Sequence, residues 1–124
     1  DLQEFGKGLR WADKAISLYS NNGDGYGQKG KVYFIGWDRF RMNPFSIDDR
    51  IVAKLAYDYF LKAEEAGYRG YNKRKWLEEN AKDVLYGKAQ WFMADDKVKR
   101  SRTLRPSSAV YNWVTDLLKP ESSW

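Results

Sequence analysis

Between residues 2 and 19 the apolar side chains fall at Leu2, Phe5, Leu9, Ala12, Ile16 and Tyr19. This 3-4-3-4-3 spacing becomes one continuous face only on an α-helix. The same period recurs through Ile47, Ile51, Leu55, Tyr59 and Ala63, with Val52, Ala56 and Phe60 beside them. It returns through Leu77, Ala81, Val84, Leu85, Ala89 and Phe92, and again through Val110, Val114, Leu117 and Leu118. Start and stop signals bracket these runs. Ser46 followed by Asp48 and Asp49 supplies a serine cap and acids for the first turn, and Gly67 ends that helix near Ala66. Asn72 caps a helix running to about Ala94, and Pro106-Ser107-Ser108 opens a last one that Pro120 closes. The expectation is an all-α fold: a four-helix bundle with a Gly-rich loop and one extended aromatic segment. Its 124 residues suffice for a single domain, with 1–45 as a helix plus extended arm, 46–119 as the helical core and 121–124 as a tail.

The loop and the arm are the parts that break the helical period. Residues 20–30 carry glycines at 23, 25, 27 and 30 and read as a flexible connection. Within it Gly25-Tyr26-Gly27-Gln28-Lys29-Gly30 fits the bare glycine pattern of nucleotide-binding loops. The context is wrong for that chemistry: the pattern follows a helix rather than a strand, and the chain has no H-R-D or D-F-G sequence to supply a base and a magnesium ligand. What remains is a glycine loop whose Lys29 can approach phosphates closely. Residues 31–37, Lys-Val-Tyr-Phe-Ile-Gly-Trp, are β-branched and aromatic and read as a short strand or an extended arm without a second strand to pair with.

Composition narrows the chemistry. The chain has no cysteine and no histidine, which removes disulfides, thiolate and imidazole metal sites and the usual base near neutral pH. No H-E-x-x-H, P-loop or G-x-S-x-G sequence occurs, and the clustered acids Asp48, Asp49, Asp58, Glu64 and Glu65 fit caps and solvated surface. An enzyme is therefore not expected, and no catalytic residue, metal or cofactor is assigned. No run approaches the roughly 18 apolar residues of a membrane span, and residues 1–4 lack a signal peptide's features. The first residue is not methionine, which fits a trimmed chain or a fragment.

The net charge of +5 points to an anionic partner. The cations gather in three places. On a helical wheel Lys7, Arg10 and Lys14 lie opposite the first apolar stripe. Arg69, Lys73, Arg74 and Lys75 interleave with Tyr68, Tyr71 and Trp76, a mix suited to phosphate contact and stacking. Lys97, Lys99, Arg100, Arg102 and Arg105 place five cations in nine residues, between two helical segments. Each cluster is either a nucleic-acid contact or solvated surface charge. Six tryptophans, nine tyrosines and six phenylalanines are available for a core or for interfaces. Tyr33, Phe34, Trp37, Phe40, Tyr111 and Trp113 are the candidate subunit-interface rings, although packing against the bundle is the simpler account of Phe34, Trp37 and Phe40, and Tyr111 and Trp113 can instead widen the core contact.

The basic first helix, the cluster 69–76, the joint 97–105, the Cys-free composition and the aromatic load together resemble coat proteins of filamentous archaeal viruses, the lipothrixvirus and rudivirus group. The resemblance implies a helical bundle on a virion, self-assembly, and packaging of double-stranded DNA through phosphate contacts without sequence specificity. The Gly-rich stretch has no counterpart in it. Two other readings stay open. One is a small regulatory or accessory DNA- or RNA-binding protein, with 68–76 as the nearest candidate for a helix–turn–helix turn. The other is a protein-interaction adaptor. The expected location is a virion for the first and the cell interior otherwise.

Overall fold

Leu2–Leu18 is helical and forms α1, with Leu9 and Ala12 buried and Phe5 and Ile16 half-buried along the expected stripe. Tyr19 lies beyond the helix end and is exposed. The computed structural model describes residues 2–124. Among them the regular structure is all helical apart from one isolated bridge between Leu104 and Leu118.

The largest correction concerns residues 20–37. Residues 20–23 are a turn, and the rest of the expected Gly-rich loop together with the extended arm forms a 17-residue helix, α2, Asp24–Phe40. Asn22 Oδ1 accepts from the Asp24 N–H at 2.9 Å and satisfies one of the first orphan donors. The glycines are present for packing. A Cβ on Gly25 would lie 2.6 Å from Ile16 Cγ1 on α1, and one on Gly30 would lie 2.6 Å from the Phe60 ring. Two neighbours thus press onto the α2 backbone itself, and their contacts outweigh the poor helix propensity of glycine, about 1 kcal/mol per residue. The residues that suggested a strand follow the helical period: Tyr33 and Trp37 are buried, while Ile35 is exposed.

Helix α3, Ile47–Glu65, starts as the sequence predicts. Ser46 Oγ accepts from the Asp49 N–H at 3.0 Å, and Asp49 Oδ2 accepts from the Ser46 N–H at 2.9 Å, a reciprocal capping box. Gly67 ends it with a φ of +85°, a conformation that costs other residues strain. Ile51, Val52, Leu55, Ala56, Phe60 and Ala63 are buried, which makes α3 the central apolar element. α2 packs between α1 and α3.

The helix expected over 72–94 is three short pieces, α4 Arg74–Glu79, α5 Ala81–Val84 and α6 Lys88–Phe92. Two bonds to α3 break it. Arg50 donates to the Leu85 carbonyl at 2.9 Å, and Tyr86 N–H donates to the Arg50 carbonyl at 3.1 Å, so the chain turns extended at Leu85 and buries Val84, Leu85 and Tyr86. Within the joint, Asp96–Ser101 is helical, α7, capped by Asp95 Oδ1 accepting from the Val98 N–H.

The last expected helix is also corrected. Only Ala109–Tyr111 makes a 3₁₀ turn. Leu104 and Leu118 exchange backbone bonds of 2.8 and 2.9 Å, and Asp48 accepts from the N–H groups of Ser107 and Ser108. These anchors hold the segment open, so Tyr111, Trp113, Val114 and Leu118 are buried whereas Val110 and Leu117 are exposed.

Candidate nucleic-acid interface

Of the three cationic clusters, the one on the outer face of α1 lines a surface hollow. Lys7, Arg10 and Lys14 are all exposed there. The same turns carry Trp11, 68% exposed, with Lys14 Nζ 5.5 Å from the indole centroid. An indole left in water next to three cations is unusual for a core-forming residue, because its ring would contribute a few kcal/mol if buried. These four side chains line a surface hollow of about 380 Å³. A second hollow of about 760 Å³ adjoins it, sharing Lys7 and Arg10 and reaching Gln3, Asn112 and Thr115. Among the described residues no carboxylate lines either one. The apolar stripe fixes this geometry: burying Leu9 and Ala12 against α2 forces positions 7, 10, 11 and 14 outward.

The other two clusters line neither hollow. In the second, Arg74 is half-buried and occupied, its Nε 2.6 Å from Glu64 and its Nη1 3.1 Å from Glu78. Asn72 Oδ1 accepts from the Arg74 N–H at 2.7 Å from one position before the cap, which is Lys73 and makes no side-chain capping bond. Lys73 Nζ lies over the Tyr71 ring, and Arg69 and Lys75 are exposed. In the third, Lys99 Nζ donates to the Phe92 carbonyl at 2.8 Å, while Lys97, Arg100, Arg102 and Arg105 face solvent. Beside them Phe92 and Met93 are 75% and 79% exposed.

The rings expected at subunit interfaces are placed in the chain's own core. Tyr33, Trp37, Tyr111 and Trp113 are buried, and Phe34 and Phe40 are half-buried against it. Trp113 stacks on Phe5 at 4.9 Å between ring centroids, and Tyr111 OH donates to Asp49 Oδ1 at 2.6 Å. Their sequence positions off the helical stripe carried no information because that segment is not a helix.

Lys29 is likewise no phosphate ligand of a loop. It is 3% exposed, and its Nζ donates to Asp13 Oδ1 at 2.6 Å and to Asp116 Oδ1 at 2.9 Å. Asp116 also accepts from the hydroxyls of Tyr33 and Tyr59. Burial disfavours the charged forms of both Lys29 and Asp116. The bonds between them outweigh that, holding the Lys29 pKa above and the Asp116 pKa below its ordinary value. Burial, and then the Asp116 charge, pushes Tyr59 up to about 12, so it stays a donor. With every group occupied, this cluster ties α1, α2 and α3 to the C-terminal segment.

Sequence reasoning missed Trp11 and Asp116 and misplaced Lys29, which it set in a phosphate-facing loop. Trp11 had a readable signal, a large ring on the polar side of the first wheel. The 87 positions between Lys29 and Asp116 left none. Among the described residues no helix is long and apolar enough to cross a membrane, and no group of three acidic side chains is placed to hold a metal ion. Comparison with protein-family models, curated proteins and solved structures returns no match.

Proposed function

We propose that this chain is a nucleic-acid-binding protein that engages its ligand without sequence preference through the outer face of α1. The observation that carries the reading is the convergence of Lys7, Arg10, Lys14 and the exposed Trp11 on one hollow, with no acid among the described residues of its lining. Cations on a fixed helix face neutralise phosphates and release their counterions, which gives affinity that is insensitive to sequence and steep in salt. The test is a titration with mixed-sequence DNA at several salt concentrations, on the chain and on a Lys7→Gln/Arg10→Gln/Lys14→Gln variant. The variant should lose affinity at low salt, and its slope of log K against log salt should fall by about 2 to 3. No binding at low salt, or a variant that binds unchanged, overturns the reading.

A structural form of this function, packaging of duplex DNA by self-assembled copies as in the filamentous-virus coat proteins it resembles, is favoured by one further observation. Phe92 and Met93 stand exposed beside the cations of α7, an apolar pair available to a neighbouring copy. Electron microscopy of the chain mixed with duplex DNA tests it. Regular filaments support packaging, and their absence at saturating DNA rejects it.

A further inference from the structure

The chemistry of the α1 groove says more about its ligand than charge alone. A duplex hides its base faces and presents sugar and phosphate, against which an indole gains little. A single strand offers the π-face of every base, and proteins that bind it combine a cationic track with aromatic platforms. The groove has both parts. Trp11 supplies an exposed ring whose substitution disturbs no core contact, since it is 68% exposed. Lys7 and Arg10 are shared by the two hollows, so the cationic lining is continuous from Trp11 and Lys14 toward Asn112 and Thr115. Gln3, Asn112 and Thr115, all exposed at the far end, can donate to and accept from base edges or sugars.

We infer that the α1 groove binds unpaired nucleic acid, with one base stacked on Trp11 and the adjoining backbone running over Lys7 and Arg10 toward the 112–115 turn. The inference rests on the nucleic-acid reading above and narrows it to single strands, in competition with the duplex-packaging form. It also orders the two kinds of contact: cations set the salt dependence, and the ring sets the preference for unpaired bases.

Fluorescence anisotropy separates the two claims. Labelled single-stranded and duplex oligonucleotides of the same length are titrated with the full chain, with Trp11→Ala, with Trp11→Phe, and with the triple glutamine variant. The single strand should bind tighter than the duplex. Trp11→Ala should weaken single-strand binding by about 5- to 100-fold, the range of one stacked base, without changing the salt slope or the duplex affinity. Trp11→Phe should retain most of the single-strand affinity. Equal affinities for both forms, or a Trp11→Ala loss that is the same on both, overturns the single-strand inference while leaving the cationic face intact. No binding of either form overturns the nucleic-acid reading itself. Unchanged far-ultraviolet circular dichroism and an unchanged thermal midpoint for the Trp11 variants confirm that the comparison is between folded proteins.

Discussion

At Gly30 the Phe60 ring occupies the space where a side chain would begin, and the energetic sign of an alanine there differs from the sign at most helical glycines. A Cβ at 2.6 Å from an aromatic carbon on a buried ring cannot be absorbed by moving a flexible tip. Gly30→Ala should destabilise by about 1–3 kcal/mol even though alanine is the better helix former. At Gly6 the nearest atoms to a new Cβ are Arg10 Nη1 at 3.4 Å and Trp113 Cβ at 4.0 Å, ordinary contact distances. Gly6→Ala should therefore stabilise by about 0.5–1 kcal/mol. Urea unfolding of the two variants checks both signs. The Lys29 and Asp116 pair gives a second residue-scale prediction. Asp116 is held below its ordinary pKa, so its contribution is present above the unfolded value and is lost as pH falls through the folded one. Lys29 is held above its ordinary value, so its contribution is present below the unfolded value and disappears as pH rises through the folded one. Stability should plateau between those limits. Asp116→Asn should lower the plateau by about 3 kcal/mol, because it leaves a nearly buried ammonium with Asp13 as its remaining ionic partner, and should flatten the acid limb. Thermal melts from pH 2 to 7 measure it, and a parallel acid limb in the variant contradicts the assignment.

Elements announce themselves in sequence when their stability is local. α1 and α3 did so: the first by its apolar spacing, the second by spacing and by a capping box whose two side chains are three positions apart. The box can be tested directly. Ser46→Ala removes the acceptor for the Asp49 N–H and should cost about 1 kcal/mol, read by denaturant unfolding. α2 was hidden because its glycines argue for a loop until the rings and backbone that press on them are known. Propensity describes the isolated chain, and here packing between α1 and α3 overrules it. The stretch 72–94 kept a helical apolar period, yet Arg50 of α3 donates to the Leu85 carbonyl and its own carbonyl accepts from the Tyr86 N–H, which turns the chain at Leu85. In the last segment the i, i+4 spacing of Val110, Val114 and Leu118 was coincidental, since backbone bonds at 104 and 118 and the carboxylate of Asp48 hold that chain open. The candidate site divides in the same way. Lys7, Arg10 and Lys14 were readable because α1 is locally determined. Packing of Phe34, Trp37 and Phe40 against the helices was readable as the simpler account; the burial of Tyr33, Tyr111 and Trp113 was not fixed by sequence, because it depends on α2 and on the C-terminal segment.

For the whole molecule, the decisive property is how much of the cationic charge is uncommitted. The net charge of +5 is modest, and part of it is already engaged within the fold. Arg74 holds Glu64 and Glu78, Lys29 and Lys54 are buried in ion pairs, and Lys99 is bound to a backbone carbonyl. A phosphate backbone approaching these groups must displace partners the protein already has, whereas the α1 hollow, with no acid among the described residues of its lining, presents Lys7, Arg10 and Lys14 to solvent. Charge neutralisation at separate sites should thus have unequal effects despite equal changes in net charge. Arg74→Gln should lower stability and leave nucleic-acid affinity nearly unchanged, because its charge is matched by two carboxylates. Lys7→Gln, with the same change in net charge, should leave stability unchanged and reduce the salt slope by about 0.7 to 0.9. Neutralising Lys97, Arg100, Arg102 and Arg105 together distinguishes a continuous cationic surface from a single groove. If the ligand spans both, the slope falls by about 3 beyond the α1 effect; if it lies in the groove alone, the change is confined to the weak long-range field and vanishes above about 0.15 M salt, where the Debye length is near 8 Å. The same anisotropy titrations, run from 50 to about 200 mM salt, decide between these outcomes.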